Sequence, residues 1–362
     1  MSADSSAGDS VEHVSGPIAA VRRPGVAAAL TAALLFGAGT PLAKALLRDA
    51  DPWLLAGLLY IGAGLGLLIW RTARRAPRGR LPRADLPWLV AAVVCGGIIA
   101  PVLLMAGLAG MPATGASLLL NAEAVFTALI AWLVFRENVD RKVAAGMALI
   151  VAGAVVLSWP GPGARFAGAW PTVAVLGACL LWAVDNNLTR RVSHADATWV
   201  AMVKGLAAGS ANLALAVVVR GQAPPGAAVA LAAMVVGFAA YGASLALFVV
   251  GLRTLGTART GAYFSVAPFF GATLAIALLG EPLTLRLLAA GALMAVGVWL
   301  HLAEQHRHRH SHAALVHDHP YDPADPHHTD VSATVGGTAG HRHPAVTHEH
   351  PHYPDIHHRH SH

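Results

Sequence analysis

Charge is scarce in this chain. Asp, Glu, Lys and Arg make up 12% of its 362 residues, about half the usual share of a soluble domain. So few charges cannot cover an aqueous surface, which excludes the ordinary soluble classes and leaves a bilayer as the solvent. Cysteine is scarcer still. Cys95 and Cys179 each sit inside an apolar run, so no disulfide framework is expected and each reads as a small buried apolar residue. Aromatic residues are 6% of the chain. No basic surface interleaved with aromatics is present, so nucleic acid is excluded as a partner despite a pI near 9.8. Histidine is missing from the interior of every apolar run; His301 stands at the end of the last one. Ser117 and Ser244, in Gly-x-Ser-x contexts, therefore lack a general base. A zinc-protease motif of the His-Glu-x-x-His type is also absent. The chain is not read as an enzyme, and no cofactor is required.

What the sequence has is apolar length. It is 56% hydrophobic, and ten runs approach the roughly 20 residues that a membrane span needs. Their limits are 25–47, 52–70, 87–108, 112–135, 142–159, 168–188, 197–219, 227–251, 258–279 and 286–302. Basic residues alternate between the loops. Arg71, Arg74, Arg75, Arg78, Arg80 and Arg83 fill one, and every second loop after it carries Arg136, Arg141 and Lys142, then Arg190 and Arg191, then Arg253 and Arg259. The intervening loops hold one basic residue or none. Cytoplasmic loops are the ones enriched in Lys and Arg, so both termini are expected in the cytoplasm of a multi-pass protein of the cytoplasmic (inner) membrane. Residues 1–24 read as a disordered cytoplasmic arm, 25–160 and 166–303 as two membrane units, and 304–362 as a disordered polar tail.

The two membrane units repeat each other. Without a gap, Gly107 falls on Gly251, Phe126 on Phe270, Glu137 on Glu281 and Gly153 on Gly297; a slightly different offset lays Phe36 on Trp182 and Trp53 on Trp199. Five spans per unit is an odd number, so the second unit enters the membrane upside down. The segments LNAEAVFTALIAWLVFRENVDRKVAAGMALIVAGAVVL (120–157) and VAPFFGATLAIALLGEPLTLRLLAAGALMAVGVWL (266–300) each show an apolar helix, a Glu at its end, and a second helix with Gly at its start and middle. This pattern resembles the EamA repeat of the drug/metabolite transporter superfamily. The resemblance implies an all-α polytopic membrane protein of ten transmembrane helices in two inverted five-helix EamA-like repeats. It further implies a central cavity lined by the first, third, fourth, sixth, eighth and ninth helices, and secondary transport of a small solute, commonly export. One departure is that Glu123-Ala124 stands in the first unit where the second has Ala267-Pro268.

Polar residues inside spans mark candidate function, because a carboxylate at mid-bilayer costs about 2.5–3.5 kcal/mol on insertion scales. Glu123, in the fourth run, is the sharpest candidate for proton coupling or solute contact, with a structural ion pair to Lys44 or Lys204 as the alternative. Asn121, two residues away, points elsewhere on a helix. Asp185, Asn186 and Asn187 follow Trp182, which reads as packing. They correspond to Gly39, Thr40 and Pro41 of the first unit, where Pro41 removes a helix hydrogen bond. Tyr241, Tyr263 and Ser265 bring hydroxyls into the eighth and ninth runs. Glu137 and Glu281, with Gly153 and Gly297, are the repeat signature, the acids reading as caps of the helix that follows each. Gly205-x-x-x-Gly209 suits a close helix contact.

The tail holds nearly all of the chain's 20 histidines. His306, His308, His310, His312, His317, His319, His348, His350, His352, His357, His358, His360 and His362 are candidate ligands for a divalent metal, Zn, Ni, Co or Cu. A solvated polycation that titrates near pH 6.5 is the plainer reading. Together these features point to a secondary transporter that exports a small metabolite or drug-like solute by proton-coupled alternating access. A second reading is a divalent transition-metal exporter with the tail as cytoplasmic collector or sensor. A third is a membrane-anchored metal buffer or sensor without transport. The expected partners are the lipid bilayer, a small-molecule solute and divalent ions. The sequence leaves the oligomeric state open, with a homodimer as the candidate.

Overall fold

A computed structural model describes residues 24–77, 79–134, 141–159, 169–192, 195–255 and 257–302, and in the tail 306–312, 315–317, 341–343 and 346–352. Glu137 and Arg136 lie outside the described residues. The chain divides into two units, one ending at Leu302 and one beginning at Ala303.

Every secondary-structure element among the first unit's described residues is a helix. Seven helices are long and apolar enough to cross a bilayer: Gly25–Leu46, Pro52–Ala73, Arg83–Ala109, Ala113–Ile130, Trp170–Thr189, Ala197–Val219 and Ala227–Leu255. Three shorter apolar helices, Ala144–Leu157, Ala267–Leu279 and Leu285–Leu300, fall on the remaining predicted runs. Large apolar side chains such as Leu133, Val218 and Leu285 face outward, whereas Leu55, Leu59, Leu104, Leu119, Val175 and Met294 are buried. An apolar exterior around an apolar core is what a lipid solvent allows.

In finer detail, α1 (Pro24–Leu46) leads to α2 (Pro52–Ala73), where Asp51 caps the start by accepting from the Trp53 N–H at 2.9 Å and Pro52 takes the first position. The third span is α3 (Leu86–Ala92), a π segment (Val93–Ile99) and α4 (Ala100–Ala109). The fourth is α5 (Ala113–Leu119) and α6 (Ala122–Leu133), interrupted at Leu120 and Asn121. Then come α7 (Arg141–Ser158), α8 (Trp170–Thr189) and α9 (Ala197–Ala214), the last extended by a π segment (Leu215–Val219). The eighth span is α10 (Ala227–Gly237), a π segment (Phe238–Ala243) and α11 (Ser244–Leu255). The ninth is α12 (Thr257–Phe264) and α13 (Ala267–Leu279), and α14 (Leu285–Leu302) closes the unit.

Element boundaries recur along the chain. Ala100, Ala113 and Arg141 open helices in the first half, and Ser244, Thr257 and Leu285 open their counterparts 144 residues later. Both halves put a π segment in the third member and a break in the fourth. Two helix pairs knit the halves. In α2 against α9, a Cβ on Gly209 would stand 2.5 Å from the Ile61 nitrogen and one on Gly205 2.9 Å from the Gly64 nitrogen, so only glycine permits the approach. In α7 against α14, Gly153 faces Ala290 and Met294 while Gly297 faces Gly146 and Ile150, so the numbering rises on one helix as it falls on the other. These two repeat-equivalent helices run antiparallel.

β1 (His306–His312) pairs antiparallel with β4 (Val346–His352), and β2 (Leu315–His317) with β3 (His341–His343). The all-helical fold class thus holds for the first unit.

Candidate functional site

The site begins with a proline. Pro101 sits in the first turn of α4 and has no N–H, so carbonyls one turn back lose their partner. The backbone responds with the π segment, in which the Ala100 N–H bonds the Cys95 carbonyl. Side chains then serve the freed oxygens. The Tyr60 hydroxyl and the Trp182 indole N–H both donate to the Gly96 carbonyl at 2.9 Å. The Asn212 amide donates to the Gly97 and Ile98 carbonyls at 3.2 and 3.3 Å. Three helices, α2, α8 and α9, are thereby tied to one irregular turn.

Against this turn lies the charge of the site. Asp185, 9% exposed, accepts from the Lys204 ammonium at 2.5 and 2.7 Å. The Thr189 hydroxyl donates to Asp185 at 3.0 Å, and Lys204 also reaches the Thr189 oxygen at 3.3 Å. Gly96 makes room for this pair, since a Cβ there would collide with the Asp185 carboxylate. One residue along α8, the Asn186 amide donates to Glu123 Oε1 at 2.8 Å. Glu123 lies in the first turn of α6, just past the break in the fourth span. An aromatic wall adjoins: Tyr241, in the π segment of the eighth span, stands 5.7 Å from Tyr60 and 5.9 Å from Phe36 between ring centroids, and Phe36 stands 5.3 Å from Phe264. The arrangement offers a half-buried carboxyl, a buried ion pair, amide groups and aromatic faces in one region, enough to hold and orient a small polar or amphipathic molecule.

Several expected residues fall elsewhere. Lys44 joins neither Glu123 nor Asp185. It donates to the Leu108 and Ala109 carbonyls at 2.6 and 3.2 Å, a cation at the C-terminal end of α4. It lines a separate cavity of about 330 Å³ with Leu47, Arg48, Ala109, Leu279 and Glu281. Glu281 does not cap the helix after it. Its two oxygens accept from the Ala113 and Thr114 N–H groups at 2.7 and 2.8 Å, capping α5 in the other half. The reason is local: Thr284 already caps α14 by accepting from the Leu287 N–H at 3.1 Å. Asn121 is separated from Glu123 by the helix break and turns to the Leu118 carbonyl and Met294 sulfur. Asn187 bonds the Ala183 carbonyl on its own helix. Tyr263 is half-buried near the end of α12, and Ser265 lies in the break that follows. Trp182 is more than packing, and Tyr60, Gly96, Thr189 and Asn212 were not singled out by sequence. The signal available for them was Pro101, a helix breaker within an apolar run. Among the described residues of the helical unit, no three His, Cys, Asp or Glu side chains gather.

Comparison with known proteins now bears on this geometry. The profile of the EamA-like transporter family matches residues 23–159 and 169–303. An uncharacterized transporter of Methanothermobacter thermautotrophicus is 28% identical over 290 residues, 75% of this chain and 84% of the relative. A probable amino-acid metabolite efflux pump of Salmonella typhimurium is 35% identical over 83 residues, 23% of this chain and 28% of that protein. A solved crystal structure at 20% identity superposes with a TM-score of 0.59, covering 76% of this chain and 98% of the other.

Proposed function

The chain belongs to the EamA-like transporter family, is a multi-pass membrane transporter rather than an enzyme, and from that premise we propose that it exports a small polar or amphipathic metabolite in exchange for protons. It does so with ten spans arranged as two inverted halves in the cytoplasmic membrane, both termini inside. The observation that carries the reading is Glu123, held by Asn186 across two helices at the break in the fourth span, beside the Asp185–Lys204 pair. A carboxyl at a broken helix, facing polar groups of the opposite half, is where a repeat transporter places its exchange site. Support for the inversion comes from the recurring element boundaries and the antiparallel α7–α14 pair. Alternating access follows from rocking one half against the other, with Glu123 carrying the proton on one stroke and releasing it to the solute's arrival on the other. The Salmonella relative, named a probable amino-acid metabolite efflux pump, makes amino acids and their derivatives the first solutes to test.

The test uses proteoliposomes that hold a pH gradient and a pH-sensitive dye. Addition of a transported amino-acid derivative dissipates the gradient through the wild-type protein, and Glu123→Gln abolishes that dissipation. Flux that stays coupled to protons in Glu123→Gln overturns the assignment of Glu123.

A further inference from the structure

One cavity of the helical unit is lined by none of Glu123, Asp185 and Lys204. It measures about 330 Å³ and lies where the ends of α1 and α4, from the first half, meet the end of α13 from the second; Lys44, Leu47, Arg48, Ala109, Leu279 and Glu281 line it. Small-molecule sites occupy roughly 300–1,000 Å³, so the space suits a small ligand.

The cations of this cavity come from one stretch of chain. α1 ends at Leu46, and the turn after it keeps the helical direction, the Leu47 N–H bonding the Ala43 carbonyl at 3.0 Å. Lys44, Leu47 and Arg48 are therefore three and four residues apart along a helical path, the spacing that sets side chains next to one another. Like charges at that spacing repel, and an anion shared between them relieves the repulsion. Lys44 donates to the Leu108 and Ala109 carbonyls, which leaves one of the three donors of its ammonium. Arg48 is exposed, and among the described residues its guanidinium has no hydrogen-bond or ion-pair partner. Glu281 is already engaged, each oxygen accepting a backbone N–H of α5 at 2.7 and 2.8 Å. Two positive charges thus face one occupied carboxylate. Leu47, Leu279 and Ala109 add an apolar wall beside them.

We propose that this cavity binds a small aliphatic monocarboxylate, its carboxylate held between Lys44 and Arg48 and its chain lying against Leu47 and Leu279. The guanidinium fork matches the two oxygens of a carboxylate. The negative edge that Glu281 supplies disfavours a second negative charge on the ligand, which selects a monoanion over phosphate. The site stands on its own geometry: its failure leaves proton exchange at Glu123 untouched, and the reverse holds too.

The experiment is equilibrium dialysis of the full-length protein in detergent against radiolabelled 4-methylpentanoate, with protein-free micelles as the blank. Saturable binding is expected in the wild type. Arg48→Gln removes a charge that no described residue uses, and it should weaken binding about tenfold, the loss of one charge-assisted contact. Lys44→Gln should weaken it similarly, and Glu123→Gln should bind as the wild type does. Two unlabelled competitors probe the chemistry: 4-methylpentanamide keeps the chain without the charge, and inorganic phosphate keeps charge without the chain. Each should compete at least about tenfold less well than the unlabelled acid. Absence of saturable binding would overturn the proposal, as would wild-type affinity in Arg48→Gln. Loss of binding in Glu123→Gln would move the acid to the other site, and competition by the amide or by phosphate as strong as the acid's would remove the assigned chemistry; either result also overturns it.

Discussion

Two charges carry most of the risk in the helical unit, Asp185 and Lys204, whose side chains are 9% and 17% exposed and paired with each other. Removing one partner strands the other, and a buried uncompensated charge costs about 3–5 kcal/mol. Lys204→Met is therefore expected to lower thermal stability in detergent severely, while Asp185→Asn with Lys204→Met recovers most of the loss. Thermal unfolding of the two single variants and the double variant measures the coupling; equal, additive losses would show that the pair is not coupled. A second residue prediction concerns Asp196, which caps α9 through the Trp199 N–H at 2.8 Å and pairs with Arg71 and Thr198. Burial, the largest single influence, pushes this carboxyl up. The Thr198 hydroxyl, the Trp199 N–H and the Arg71 guanidinium together outweigh it and hold the carboxyl below its usual range. A depressed carboxyl stabilises the fold above its unfolded pKa, and that contribution is lost as pH falls through the folded value. Asn is as good a cap as Asp, so Asp196→Asn isolates the charge. Its unfolding free energy should fall below wild type at pH 7, by less than about 1 kcal/mol because the carboxyl is more than a third exposed, and the gap should narrow as the pH is lowered below the ordinary carboxylate range. A gap that persists at low pH would locate the effect in the cap instead. Among single residues, Glu123, Asp185 and Lys204 were legible because charge inside an apolar run is conspicuous whatever surrounds it. Tyr60 and Trp182 were not, because their partner is a backbone carbonyl, and only the missing N–H of Pro101 makes that carbonyl available.

At the level of elements, the apolar runs mark the spans well, since length and hydropathy are local properties. The breaks within them are another matter. The fourth run reads as continuous, yet the chain turns at Leu120 and Asn121, and no proline or glycine stands there to announce it. At the break itself the Asn121 amide donates to the Leu118 carbonyl at 2.9 Å. The link before the fourth span is held from a distance instead: the start of α5 is capped by Glu281, 168 residues away, and the end of α4 by Lys44, 64 residues away. The short link between α4 and α5 thus has both ends satisfied by charges from other elements. This is why sequence assigns Glu281 to its own neighbour while the fold sends it across the molecule. Helix N-terminal N–H groups lack internal partners, and a carboxylate there gains from the helix dipole as well. Glu281→Ala is expected to destabilise the protein by about 1–2 kcal/mol, with Glu281→Gln intermediate because it retains one acceptor oxygen. Chemical unfolding in detergent gives the order. If Glu281→Ala unfolds with wild type, the two N–H groups are satisfied without it and the cap has no energetic role.

For the whole molecule, the question is how two similar halves are disposed in one bilayer. Repetition alone, which the sequence states clearly in Gly153 and Gly297, is compatible with parallel or inverted halves. Arginine placement favours inversion: Arg136, Arg141 and Lys142 surround the first half's loop between its fourth and fifth members, while Arg286 alone marks the second half's equivalent. The antiparallel contact of α7 with α14 points the same way, since equivalent helices of parallel repeats would have to share a direction. Equivalent loops must then lie on opposite faces of the membrane. Alkaline phosphatase, active only outside the cytoplasm, reads this directly when fused after residue 140 and, in a second fusion, after residue 284. Inversion predicts an inactive first fusion and an active second one, and a third fusion after Leu302 inactive again. Equal activity at the two equivalent loops would mean parallel halves. The rocking mechanism proposed for Glu123 would then lose its symmetry, because two halves facing the same way do not exchange inward-open and outward-open shapes by trading conformations.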